Sequence, residues 1–174
     1  MVCVGCLDPD LRKLNRDCST PTRQAEHLLF CLYVSGKNKQ LLGGQDEWCL
    51  WGGDVKTAFL QGKQEGRDEP LYMRPPRDKL TQLAGTFKAS LFLVKGNVYG
   101  LANAPRTWGL EVHRRLVDFG FRQHSLDSQM YYLIDKLPGD DKATLVCIMI
   151  CYVDDFVITH NSRFDKQPVL KLFS

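Results

Sequence analysis

The sequence predicts an α+β fold, an antiparallel sheet with helices packed on one face. Three observations predict it. The apolar run Leu145–Val153 is followed, across Asp154-Asp155, by a second apolar run at Phe156–Thr159, which is the pattern of a β-hairpin with two acids at its tip. Two stretches carry apolar residues at helical spacing, one after Pro21 and one after Pro105. The elements also come in mixed order: helix, strand, loop, strands, helix, strand, hairpin.

Taken in order, Thr20 reads as a helix N-cap with Pro21 at the first helical position, Ala25, Leu28, Leu29 and Leu32 form the buried stripe, and Gly36 is the stop. A polar loop over 37–45 follows. Trp48–Val55 reads as a strand ending in Asp54, and Thr57–Leu60 as a turn or short helix. The charged stretch 61–69 is a solvated loop, and Leu71-Tyr72-Met73 a short strand stopped by Pro75-Pro76. Residues 90–99 read as a strand or a hairpin around Lys95-Gly96-Asn97. The second helix starts near Asn103-Ala104-Pro105, carries Trp108, Val112, Leu116 and Phe119 on one stripe, and ends at Gly120. Met130–Ile134 is a strand, Pro138-Gly139-Asp140-Asp141 a turn, and Leu145–Val153, apolar on both faces, a central strand. The tail after His160 carries no clear element.

Composition narrows the function classes. The 174 residues suit one domain or part of a larger one, and 44% hydrophobic with 25% charged residues excludes disorder over the whole chain. No apolar run approaches the ~18 residues of a membrane span, and the start Met1-Val2-Cys3-Val4 has no basic region followed by an apolar one. The expectation is an intracellular protein, cytoplasmic or nuclear, with no membrane partner. A net charge of +3 does not by itself argue for nucleic acid. The seven cysteines are odd in number, which fits reduced thiols buried as small hydrophobes. Cys3-x-x-Cys6 lacks the second ligand pair a zinc site needs.

The carboxylates carry the chemistry. Asp54 ends one apolar strand, and Asp154 and Asp155 end another. If those strands are neighbours, three acids meet at one sheet edge, where like charges require a compensating cation. Hard oxygen ligands favour Mg²⁺, which also takes substrate phosphates. Two such ions support nucleotidyl transfer. Against this stands the plain reading that Asp is a favoured turn residue and the hairpin needs no metal.

Five segments then add a resemblance, in order along the chain: Ser19-Thr20-Pro21-Thr22; Asp54-Val55-Lys56-Thr57-Ala58-Phe59-Leu60; Leu71-Tyr72-Met73-Arg74-Pro75-Pro76; Tyr99-Gly100-Leu101-Ala102-Asn103-Ala104-Pro105-Arg106-Thr107-Trp108; and Tyr152-Val153-Asp154-Asp155. Together they resemble the reverse transcriptase of Ty1/copia-type LTR retrotransposons from about residue 18 to 160. The resemblance implies a palm with partial fingers that extends a primer on an RNA or DNA template with deoxynucleotides, using two Mg²⁺ or Mn²⁺ ions. It assigns Asp54 and Asp154 to both metals, Asp155 as the least direct ligand, and the Val55 carbonyl to one metal's shell. Phe59 matches the aromatic gate against a ribose 2′-OH, with core packing as its alternative. Tyr99 and Gly100 fall in the deoxynucleotide-binding segment. Pro105 and Arg106 match the template side, and Tyr152 the primer end, with sheet packing as its alternative. Lys56, Lys63, Arg67, Arg114, Arg115 and Arg122 are candidates for phosphate contact or for a solvated basic face.

Relative to that family, only seven residues precede Asp8-Pro9-Asp10 and the chain stops 19 residues after Asp155. The expectation is a partial domain over 1–174, without thumb, RNase H, protease or integrase, that joins further Pol segments or a second chain. The rival readings are a catalytically silent fragment of such an element, a nucleic-acid-binding remnant, and another palm-type nucleotidyl transferase.

Overall fold

A computed structural model describes residues 8–41, 47–63, 67–74, 91–135 and 143–173. Cys3 and Cys6, Pro75-Pro76 and the turn expected at Pro138–Asp141 lie outside the described residues. In chain order these form α1 (Arg23–Leu41), β1 (Cys49–Asp54), α2 (Ala58–Gln61), β2 (Tyr72–Met73), β3 (Phe92–Leu93), α3 (Ala104–Phe119), β4 (Arg122–Gln123), β5 (Met130–Asp135), β6 (Thr144–Tyr152), β7 (Asp155–His160) and α4 (Gln167–Lys171). The chain divides into two compact units, Met1–Asp17 with Phe59–Glu111, and Cys18–Ala58 with Val112–Ser174.

The larger unit is built on an antiparallel sheet in the order β1-β7-β6-β5-β4. β6 is central, as its unbroken apolar run requires, and Val146 to Cys151 are all buried. Alternation sends Ile148 and Ile150 to one face, where they pack with Met130 against Ala25 and Leu29 of α1. The other face takes Tyr131, whose ring meets His113 of α3 at 6.0 Å, and Phe156, whose ring meets Phe173 at 6.0 Å. His160 stacks near Phe164 at 5.4 Å. Helices therefore cover both faces, not one. A central strand with no polar side has to be covered twice, and the C-terminal tail supplies part of that second cover, including the helix α4 where no element was expected.

α1 starts two residues later than its sequence implies. Thr22 is the cap, its hydroxyl oxygen accepting Ala25 N–H at 3.2 Å. Gly36 does not stop the helix. A Cβ there would run into the ring of Trp48, so the glycine is a contact surface, and that packing offsets the ~1 kcal/mol cost of glycine in a helix. Of the expected stripe, Ala25 and Leu29 are buried and Leu32 packs beside them, whereas Leu28 is 43% exposed.

α3 follows its sequence closely. Trp108, Val112 and Leu116 are buried. At its end Gly120 has φ +114°, its N–H bonds the Val117 carbonyl at 2.9 Å, and Phe121 N–H bonds the Leu116 carbonyl at 2.9 Å, which is a Schellman cap.

In the smaller unit β2 pairs with β3, so of the strand or hairpin expected over 90–99 it is a short strand that forms, in a two-residue ladder with an earlier strand. A small apolar cluster holds it, with Val94, Leu101 and Ala104 buried and Phe59, Leu71, Met73 and Val98 packed against them. No disulfide joins the described cysteines. Cys147 and Cys151 are buried, and burial pushes the Cys151 thiol up to about 12.

Candidate active site

The site end of the sheet is set by register. β1 pairs with β7 so that Asp54 lies directly across from Asp155, and β6 pairs with β7 so that Tyr152 lies across from the same residue. Cross-strand partners share a face, so the Asp54 and Asp155 carboxylates belong to one side of the sheet. Asp154 sits in the two-residue turn between β6 and β7. Its carbonyl accepts Val55 N–H at 2.8 Å, which carries the β1–β7 pairing one step beyond the strand and ties the turn to the segment after Asp54. The Val55 carbonyl accepts Ala58 N–H at 3.3 Å.

Two local features make this arrangement. Gly53 lets β1 run beneath Phe156, since a Cβ there would stand 3.0 Å from Phe156 Cζ and 3.1 Å from Trp51 Cη2. Val153 holds φ +57° at the first central turn position, where a two-residue hairpin loop normally takes glycine. A β-branched residue in that region is strained by roughly 1–2 kcal/mol. The strain sits between the two residues whose spacing matters, Tyr152 and Asp154.

Asp54 and Asp155 are exposed and Asp154 half-buried. Tyr152 is 53% exposed, so packing within the sheet does not account for it. Beside it runs an apolar groove of ≈ 210 Å³ between α1 and the hairpin, lined by Leu29, Phe30, Ile150, Tyr152 and Val157, with Glu26 and Asp155 at hand.

Among the described residues, no three His, Cys, Asp or Glu side chains converge as a ready ligand set. Mg²⁺ does not need one. It takes one or two protein carboxylates and completes its octahedron with phosphate and water oxygens. Asp54 faces Asp155 across the strands, with Asp154 in the adjoining turn, and these are the acids that could offer such oxygens.

The smaller unit gathers the remaining predicted residues. The Phe59 ring tilts against Tyr99 at 5.2 Å and is half-buried, so it packs on the apolar cluster while keeping an open side. Gly100 is exposed with φ +91°, a conformation that glycine adopts without strain. Pro105 lies in the first turn of α3. Next to it Arg106 donates through Nη1 to the Asp17 carbonyl at 3.3 Å. Trp108 is fully buried, as its stripe position implies.

The basic residues divide. Lys56, Lys63 and Arg122 are exposed. Arg114 pairs with Asp118 at 2.9 Å, and Arg115 donates to the Leu172 carbonyl at 2.7 Å. Arg67 is not a phosphate ligand. Its side chain is 4% exposed, and it binds Asp8 through both terminal nitrogens, and Asp10 at 3.1 Å. Its hydrogen bond holds the Asp8 carboxyl below the usual carboxylate range. Nothing in the sequence flags this pairing except the two acids around Pro9.

A second unflagged residue is Asp127, which is buried. Burial alone would raise its pKa, but Thr22 N–H and hydroxyl, both at 2.8 Å, and Gln129 N–H at 2.9 Å bring it below the ordinary value. Its only sequence signal is an Asp three residues ahead of a strand, as in an Asx-turn.

Fold and register define a class: α+β proteins that bring acids from two antiparallel strands to one end of a sheet. The family model described as reverse transcriptase (RNA-dependent DNA polymerase) matches residues 33–167, and the chain belongs to that family. It is 29% identical over 125 residues to a transposon Ty5-1 protein of Saccharomyces cerevisiae, a match covering 70% of this chain and 36% of that protein. It is 30% identical over 125 residues to the retrovirus-related Pol polyprotein from transposon RE2 of Arabidopsis thaliana, covering 70% of this chain and 7% of that one. For the corresponding RE1 polyprotein the figures are 30% over 108 residues, 62% and 6%. The resemblance to retrotransposon Pol polyproteins of the Ty1/copia type thus holds over most of the chain, which spans a small part of those relatives. No solved structure matches it. Among the described residues no helix is long and apolar enough to cross a membrane.

Proposed function

We propose that the chain is the palm-centred core, with partial fingers, of an RNA-directed DNA polymerase from a retrotransposon Pol polyprotein. The observation that carries this reading is the register that sets Asp54 across from Asp155, with Asp154 bonded to the peptide that follows Asp54. On a primed RNA or DNA template, the primer 3′-OH attacks the α-phosphate of a deoxynucleotide and pyrophosphate leaves. Two Mg²⁺ or Mn²⁺ ions, when bound, supply the Lewis acid for the attacking and leaving oxygens. Asp54, Asp154 and Asp155, with the Val55 carbonyl, would hold them. Exposed Tyr152 supports the primer end. Phe59, braced on Tyr99, excludes the ribose 2′-OH, and Gly100 gives the nucleotide close access to backbone. Pro105 and Arg106 serve the template, Arg106 with the donors its Asp17 bond leaves over.

The second reading is a catalytically silent fragment that retains nucleic-acid binding. The lack of a converged three-carboxylate set among the described residues favours it. Primer extension on an RNA template with deoxynucleotides and Mg²⁺ or Mn²⁺, run beside Asp154→Asn, separates the two. The expected result is extension that Asp154→Asn abolishes at unchanged fold. A folded chain that binds primer-template but extends nothing, with binding unaltered by Asp154→Asn, selects the silent reading.

A further inference from the structure

We infer that Asp127, more than 20 residues before the turn acids in sequence, is the positioning residue of the acidic hairpin. The inference rests on the proposed metal site but is carried by a separate chain of bonds. One Asp127 carboxylate oxygen accepts Gln129 N–H at 2.9 Å and closes an Asx-turn over Ser128. Within that turn Met130 N–H donates to the Asp127 carbonyl at 3.2 Å. The Gln129–Met130 peptide is thereby fixed from its donor side. From its acceptor side the same peptide takes Cys151 N–H on the Gln129 carbonyl at 2.9 Å. Cys151 is the last residue before Tyr152-Val153-Asp154-Asp155. The Asx-turn therefore anchors the base of the hairpin at the point where β5 begins.

The other carboxylate oxygen takes Thr22 N–H and hydroxyl, both at 2.8 Å, and so joins the same turn to the start of α1. A neutral turn would serve if the role were only to reverse the chain. An almost fully buried carboxylate with three donors is a costlier device, and it restrains three elements at one point. The hairpin needs such a restraint because Val153 at φ +57° favours a change of turn, and a changed turn would move Asp154 relative to Asp54.

Amide exchange followed by NMR on the full chain, with a Mg²⁺ titration, tests this. In Asp127→Ala we expect the Cys151 amide to exchange at least tenfold faster while Cys147, at the far end of the ladder, keeps its protection. Mg²⁺ affinity should fall about tenfold or more, the usual loss when a group supporting metal ligands is removed. Thr22→Val removes only the helix-side hydroxyl and should lower Tm with the hairpin unmoved. Asp127→Ala that lowers Tm yet leaves Cys151 exchange and Mg²⁺ affinity at wild-type values would overturn the assignment. Should Asp127→Ala not fold, Asp127→Asn decides. Its amide oxygen can keep Gln129 N–H while its NH₂ faces Thr22 N–H, so it should lower Tm and leave Cys151 exchange unchanged; a loosened Cys151 in it would refute the turn-based role. A wild-type chain with no Mg²⁺ response sinks the metal reading alone, and amide exchange still decides this one.

Discussion

In the sheet unit the central strand buries six consecutive uncharged residues, Val146 to Cys151, and every one is apolar or a thiol. In the smaller unit a guanidinium is among the most deeply buried groups, Arg67 with a side chain 4% exposed against Asp8 at 1%. Its ladder is two residues per strand, and Asn97 and Asn103 are buried in the same unit, Asn97 donating to the Thr107 hydroxyl. The sheet unit is stabilised by filled volume, whereas the smaller unit buries charged and polar groups that are paired in part, with Arg67 Nε, Asn97 Oδ1 and Asn103 Oδ1 left without a hydrogen-bond partner among the described residues. The difference teaches where each is fragile: the first to cavities, the second to the loss of a partner.

Four measurements would break or sharpen that contrast. The largest effect is expected for Arg67→Met, which leaves Asp8 buried without its cation and should cost about 3–5 kcal/mol of the smaller unit's stability in amide exchange. Replacing Arg67, Asp8 and Asp10 together by apolar residues should recover most of that loss; if it does not, the pair is worth more than its desolvation. Next is Met149→Ala in the sheet, expected to cost about 2–5 kcal/mol in urea unfolding, with protection in the smaller unit unchanged. Equal loss of protection in both units would mean that they unfold as one and erase the contrast.

Acid comes third. Asp8 and Asp127 both have folded pKa values below the ordinary 3.8. Their contribution is complete above that ordinary value and is lost as pH falls through the folded values. Amide protection near Asp8 and at the start of α1 should therefore fade below about pH 4, ahead of β6, which has no carboxylate to protonate. The smallest effect is Val153→Gly, which relieves the strained turn. It should gain up to about 1 kcal/mol in thermal unfolding, reduced by glycine's greater freedom in the unfolded chain. A loss instead would mean that the Val153 side chain contributes packing that outweighs its strain.

What the sequence discloses follows from the range of the interactions. β6 and β7 were legible because a run of nine apolar residues and a two-residue turn are local signals. α3 was legible because its stripe, Pro105 and Gly120 lie within one helix length. The sequence leaves open whether the strands of Asp54 and of the hairpin are neighbours, and the register makes them so. Gly36 misled because a local rule for helix ends competed with a tertiary contact to Trp48, and the contact won. The two-sided cover of the sheet was implicit in β6 itself, but the covering tail, with Phe164, Val169 and Phe173 spaced too irregularly for a stripe, gives no periodic signal. Arg67 with Asp8, and Asp127 with Thr22, are separated by 59 and 105 residues, and a single chain carries no mark of such pairs.

The position of β1 has a consequence for self-association. Among the described residues it is the outermost strand of the sheet, paired on one side with β7, and two of its six residues are glycines. An edge strand offers backbone groups on which another extended chain can pair. The charges that close this border are Asp54 and, just past it, Lys56. The same carboxylate read as a metal ligand would then also act as a gatekeeper, and its neutralisation would remove a solubility barrier along with a ligand. Mutants at Asp54 are best judged by light scattering as well as by turnover, since a precipitate and a dead enzyme would otherwise look alike.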